Sequence, residues 1–229
     1  MAIHTYRWTD HHNESALCDF LDEYFYERLA SQGLSYERIS DRRRQLAGID
    51  VIVHSQFHDY KIDEKATLHY ANQMIPTFAF EISSIQGQGI ERNGWFTNKS
   101  LETDFYMLLW PNVKRIDNAT TTNSMQPSTL SKTDFSIVEG LLISRLRLQR
   151  HVEKQGWTCE ALKAKAAELR AEDKHGRVPI NSSDMYLFCT PNLAEKPINL
   201  VIRRKVLLNL ATNAYLIAED GMADITHSN

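Results

Sequence analysis

The chain has 229 residues, 42% hydrophobic and 24% charged, with 26 Lys and Arg against 29 Asp and Glu for a net charge of −3, which excludes a protein that is basic throughout. No apolar run approaches the roughly 18 residues of a bilayer span, and the start, Met1 to Asp10, has no signal-peptide h-region, so a cytoplasmic location with no membrane partner is expected. At about 150 residues per domain, the length fits one domain with an insertion or two small domains.

From Glu14 to Ala30 the apolar residues Leu17, Phe20, Leu21, Tyr24, Phe25 and Leu29 recur at three- and four-residue steps, predicting an amphipathic helix with Asn13 as N-cap and Gly33 as stop. Short strand-like runs follow at 36–40, 48–54 (GIDVIVH), 60–66 (YKIDEKA), 77–83 (TFAFEIS) and 105–110, the last closed by Pro111. The 54–60 link is short enough for a hairpin, so the second and third runs pair antiparallel. Residues 118–132 are polar and turn-rich and read as an exposed loop. Helical patterning returns over 138–154 and 159–173, with Gly156 ending the first helix and Thr158 capping the second. Strands at 185–190 and 198–202, a short element through Leu210 and an apolar run at 214–218 complete a mixed α/β (α+β) order.

Charges inside strands carry the chemical information. In YKIDEKA, alternation places Lys61, Asp63 and Lys65 on one face and Tyr60, Ile62, Glu64 and Ala66 on the other. An antiparallel hairpin turning at residues 55–58 brings Asp50 level with Asp63 and Lys65. Two carboxylates and an ammonium then converge.

Ile49-Asp50 followed by Asp63-Glu64-Lys65 resembles the signature of the PD-(D/E)xK nuclease superfamily, with its restriction-endonuclease-like fold, over residues 14–110. Ile49 stands where the motif name has Pro. The resemblance implies one nuclease-like domain over 1–229, a core sheet at about 14–111 and 184–218 flanked by helices, and a helical-hairpin insertion at about 139–180. It also implies phosphodiester hydrolysis with Mg²⁺ or Mn²⁺. Asp50 and Asp63 are the metal ligands and Lys65 the group that positions water or stabilises the pentacovalent oxyanion. Glu64 ranks second, exchanging roles with Asp63 if a bulge shifts the strand. Glu81 is a third metal ligand if its strand borders YKIDEKA, and Glu23 and Glu27 are weaker helix candidates. Folds of this kind often act as homodimers, but no exposed apolar stripe in the sequence marks an interface.

Plainer roles stand beside these. Asp50 caps a turn with Gly48; Lys61 and Lys65 guard an edge strand; Glu23 and Glu27 form the wet face of a helix. The nine histidines form no HExxH or HxH, and the glycines at 87, 89 and 94 match no phosphate-binding loop. Cys18, Cys159 and Cys189 lack CxxC spacing.

The distribution of charge points to nucleic acid, DNA first. The first forty residues carry 3 basic and 7 acidic side chains, whereas residues 141–177 carry 9 basic and 5 acidic. Arg42-Arg43-Arg44, the trio Arg145, Arg147 and Arg150, and Arg203-Arg204-Lys205 are candidate phosphate contacts, and Trp95 is a candidate for stacking on an unpaired base. The rival reading is a non-catalytic DNA-binding or assembly protein that works through its helical hairpin.

Overall fold

The computed structural model describes residues 7–86, 89–114 and 129–226. Residues 1–6 of the start, Gly87, and residues 118–128 of the expected loop lie outside them. The architecture is mixed α+β. Its strands are β1 (Ser35–Arg38), β2 (Val51–His54), β3 (Asp59–Ala66), β4 (Thr77–Gln86), β5 (Ile90–Asn93), β6 (Phe105–Val113), β7 (Phe135–Ser144), β8 (Gly176–Pro179), β9 (Met185–Cys189), β10 (Ile198–Arg203), β11 (Asn213–Ala218) and β12 (Gly221–Asp224). Its α-helices are α1 (Arg7–Leu21), α2 (Glu27–Ser31), α3 (Arg42–Leu46), α4 (Arg145–Lys154), α5 (Cys159–Ala171) and α6 (Arg204–Leu210).

Among the described residues the chain divides into two compact units, one holding 7–75, 103–114, 129–144 and 211–226, the other holding 76–86, 89–102 and 145–210. The expected partition ran differently, with a core at 14–111 and 184–218 and an insertion at 139–180. Residues 76–102 and 184–210 instead join the helical pair in a unit with its own sheet.

The first unit is a seven-stranded sheet in the order β1-β2-β3-β6-β7-β11-β12. Among the described residues only β3 and β6 pair in parallel. Against it packs the first helical segment, where Phe20, Leu21, Phe25 and Tyr26 share one core with Val51, Val53, Ile62, Met107 and Val138. The spacing from Phe20 to Phe25, and from Leu21 to Tyr26, is five residues, which a regular α-helix would leave about 140° apart. A π-helical turn over Asp22–Tyr26 joins α1 to α2 and restores the phase, so both pairs face the sheet. Gly33 ends the segment at φ +94°, as expected. Asn13 is not the cap, because the helix already runs from Arg7. Buried in the helix interior, its Oδ1 accepts a hydrogen bond from the Leu130 amide at 2.8 Å.

Two strand assignments differ from expectation. Residues 138–144 belong to β7, flanked by β6 and β11, where burial on both faces gives a continuous apolar run that periodicity alone cannot separate from a helix. Pro111 does not close β6, which continues to Val113. Its missing N–H lies on the side that β3 has vacated after Ala66, since the Pro111 carbonyl on that side accepts from the Asn72 amide at 3.3 Å.

The second unit is an antiparallel sheet in the order β5-β4-β10-β9-β8, with α5 packed on β4. Thr158 caps α5 by accepting from the Ala161 amide at 3.1 Å, and Gly156 turns the preceding link at φ +89°, both as expected. Leu148, Val152, Leu162, Ala166 and Leu169, the apolar stripe of α4 and α5, are buried. Among the described residues no helix is long and apolar enough to cross a membrane.

Gly94 is fixed by contact rather than by conformation. A Cβ there would stand 2.2 Å from the Glu81 carbonyl oxygen, and backbone cannot swing aside as a side chain can. Gly94→Ala is therefore expected to cost about 1–3 kcal/mol, seen as a lower urea midpoint with an unchanged denaturant slope.

Candidate active site at the head of the β2–β3 hairpin

The hairpin forms as the sequence dictates. Val51 pairs with Ile62 and His54 with Asp59, and Ser55 closes the turn by donating its amide to the His58 carbonyl at 2.9 Å. Beyond Val51 the backbone ladder runs one step further, with the Asp50 amide donating to the Ile62 carbonyl at 2.9 Å. The Asp50 side chain then supplies the next acceptor itself, its Oδ2 taking the Glu64 amide at 2.8 Å. That bond fixes Asp50 beside the second half of β3.

Asp63 and Lys65 share the opposite face from Glu64, as alternation requires, and the Lys65 Nζ is ion-paired with Asp63 Oδ1. The Asp63 side chain is 3% exposed and that of Lys65 28%. The Asp50 and Asp63 carboxyl groups lie within hydrogen-bonding reach of each other. Burial is the chief reason that the Asp63 pKa rises to about 7; the Lys65 ammonium opposes the rise and the Asp50 charge adds to it. For Lys65, burial lowers the pKa, but Asp63 and Asp50 outweigh it and carry the value up. Glu14, on α1, adds to that effect. Glu14 carried no signal in the sequence, since an acid on an amphipathic helix looks like any solvated charge until the helix is laid against β3.

Glu64 has a different environment. Arg38 of β1 pairs with its carboxylate through Nη1, and Nη2 reaches Oε1 at 3.3 Å. Tyr26 donates its hydroxyl to the same Oε1 at 2.8 Å, and the Cys18 thiol lies 3.8 Å from Oε2. Asp22, in the π-helical turn, takes the other side of the Arg38 guanidinium at 2.7 Å. Both Glu64 oxygens are thus occupied within the helix–sheet layer, and Glu64 does not share the face of Asp50, Asp63 and Lys65. Burial and the Glu64 charge push the Cys18 thiol up to about 12, so it is no thiolate nucleophile at neutral pH.

The condition attached to Glu81 is not met. β3 is bordered by β2 and β6, while Glu81 lies on β4, between β5 and β10 in the other sheet, where Ser84 donates to it at 3.1 Å. Strand pairing between distant segments has no local signature, so residues 77–83 gave no hint of their partners. β3 is also no edge strand, which removes the gatekeeper reading of Lys61 and Lys65. Glu23 pairs with Lys132 across the surface and Glu27 is exposed. Among the described residues no set of three His, Cys, Asp or Glu donors closes on one point.

The basic clusters separate. Arg42 and Arg43 are exposed on α3, whose chain leads through Ile49 directly into Asp50, and Arg44 is paired with Glu37 at 2.7 Å. In the second unit Arg145 is turned inward, holding the Leu101 and Asn98 carbonyls at 2.7 and 2.6 Å. Arg147 and Arg150 are exposed. Lys205 lies 2.9 Å and Arg203 3.9 Å from Asp184, while the Arg204 amide donates to the Pro76 carbonyl. Trp95 is half-buried with its ring against Phe80 at 5.3 Å, so its faces are not both open for stacking. Comparison of the chain with family models, curated proteins and solved structures gives no match.

Two expectations follow from these electrostatics. The Asp63 pKa is above that of an unfolded aspartate, so its contribution to stability is full below about 4 and is lost as pH rises through about 7. Asp63→Asn is expected to hold its melting temperature between pH 5 and 8 while the parent chain falls, measured by thermal unfolding across that range. Arg38→Ala leaves the 7%-exposed Glu64 side chain without its cation and is expected to cost about 3 kcal/mol in urea unfolding.

Proposed function

We propose that the protein is a metal-dependent nuclease of the restriction-endonuclease-like class, acting on nucleic acid and on DNA first. The observation that carries this reading is the meeting of Asp50, Asp63 and Lys65 on one face where the β2–β3 ladder ends. Two carboxylates forced together in a buried setting are a poor structural device, since each raises the cost of ionising the other. They are a suitable oxygen donor pair for Mg²⁺ or Mn²⁺, which bind through one or two carboxylates with water and substrate phosphate completing the shell.

The donor chemistry fits that ion. Asp50 Oδ2 is held by the Glu64 amide and Asp63 Oδ1 by Lys65, and the two carboxylates together would hold the ion. A divalent ion bound there would supply charge neutralisation at the scissile phosphate and would acidify the attacking water. Lys65 donates to the oxyanion that builds up on phosphorus, from a position already fixed by Asp63. Arg38, Asp22, Tyr26 and Glu64 act by holding β3 in register from the other face. The exposed Arg42 and Arg43, on the helix that leads into Asp50, are placed to meet the backbone of the strand being cut. The rival reading as a binding protein keeps the exposed Arg147 and Arg150, but not the apolar stripe of the helical pair, which is buried, nor Arg145, which is directed at backbone carbonyls.

The expected outcome is cleavage of DNA that requires Mg²⁺ or Mn²⁺ and falls by about 10²–10³-fold in Asp63→Ala and in Lys65→Ala, with both variants still folded by circular dichroism. Saturating Mg²⁺ is expected to raise the melting temperature of the parent chain, by linkage, and to leave the Asp50→Asn/Asp63→Asn double variant unmoved. Cleavage that persists undiminished in both alanine variants sinks the proposal.

A further inference from the structure

The second unit, considered by itself, holds a cleft of about 560 Å³ lined by Ser83 of β4, by Glu91, Arg92 and Asn93 of β5, by Asn98, and by Lys163 of α5. That volume lies within the range of ordinary ligand pockets. Its wall is rigid: the Gly94 amide and the Thr97 hydroxyl both donate to the Ile82 carbonyl, at 2.8 and 2.6 Å, and the Asn98 amide donates to the Gly94 carbonyl at 3.0 Å. The contact that forbids a side chain at Gly94 clamps the same loop onto β4.

The polar groups of this lining are nearly all donors. Asn98 Oδ1 accepts from the Ser100 amide and hydroxyl at 3.1 and 2.8 Å, so the free end of its carboxamide is the NH₂ group. Ser83 Oγ, in a residue 2% exposed, accepts from Arg170 at 3.0 Å and keeps its own O–H to give. The one carboxylate, Glu91, is neutralised by the same Arg170 nitrogen at 2.7 Å. Arg92 and Lys163 have no ion-pair partner among the described residues, and the nearby Glu160 is held by Lys99. Two cations without an ion-pair partner and several hydrogen-bond donors line the cleft, with no aromatic ring among its described lining residues on which a base could stack.

From this we infer that the cleft binds the phosphodiester backbone of a nucleic acid strand. Arg92 and Lys163 meet successive phosphates, while Asn98 and Ser83 donate to phosphate oxygens. The ligand chemistry, an oxyanion with several acceptors, comes from the cleft alone; its assignment to nucleic acid rather than free phosphate rests on the nuclease reading. Contacts of this kind hold a strand without reading its sequence.

The test uses the full chain carrying Asp63→Asn, in EDTA, with a fluorescein-labelled single strand and the matching duplex, followed by anisotropy between about 50 and 200 mM salt. Adding Arg92→Ala and Lys163→Ala is expected to weaken binding about tenfold and to reduce the slope of log K against log salt by roughly 1.5. The charge-preserving pair Arg92→Lys and Lys163→Arg is expected to keep the slope. Unchanged affinity and slope in the alanine pair, with an unchanged unfolding midpoint, overturns the inference. So does saturable binding of inorganic phosphate that disappears in the alanine pair while oligonucleotide affinity stays the same. If the chain with native Asp63 and Mg²⁺ cuts nothing, yet binding depends on Arg92 and Lys163 as stated, the nuclease reading falls and the cleft stands as a backbone-binding site.

Discussion

A strand in the interior of a seven-stranded sheet that carries Asp63, Glu64 and Lys65 in succession exists only if each charge finds a partner, because an unpaired ion costs several kcal/mol in so dry a setting. The first unit is organised around that requirement. On one face, Glu64 draws Arg38 from β1 and Tyr26 and Asp22 from the π-helical turn, which ties helix, edge strand and inner strand together. On the other, Asp63 meets Lys65 and the incoming Asp50. The π-turn itself serves this arrangement: without its extra residue Tyr26 would rotate off the sheet and its hydroxyl would leave Glu64.

The two faces are not equivalent. Around Glu64 the charges alternate, acid, base, acid, and each oxygen has a donor, so the network is internally complete. Around Asp63 two acids share one lysine. Each cluster sets two acids against one base; what differs is that around Glu64 both oxygens have donors, whereas Asp50 and Asp63 are pressed against each other, which together with burial raises the Asp63 pKa. The adjacent residues Asp63 and Glu64 thus meet different partners through strand alternation alone.

Most of this was legible in local pattern. The hairpin, the level pairing of Asp50 with Asp63, and the separation of Glu64 from Asp63 all follow from a two-residue period and a short turn, properties that neighbouring residues determine. What escaped was non-local. β6 borders β3 in parallel across 38 intervening residues, and residues 77–83 found their partners at 198–203; neither pairing leaves a mark in the segments themselves. β7 was read as helix because both its faces are buried, which erases the period-two signal. Arg38 carried no signal, since an arginine at the end of a short strand looks like any solvated charge until the partner 26 residues away is known.

The same contrast bears on the basic residues. Arg145, the most suggestive cation of the helical pair, serves as a cap for backbone carbonyls, and Lys205 balances Asp184, so clustering in sequence was a poor guide to available charge. Arg92 and Lys163 drew no notice as a pair in the sequence because they lie 71 positions apart. They become a pair only when α5 lies on β4 and the Gly94 contact presses the loop against it. Charge that matters for a polyanion is charge left over once the fold has satisfied its own acceptors. By that criterion Arg92 and Lys163 are surplus cations of the second unit, as is the exposed Arg150, and the first two are gathered at one cleft.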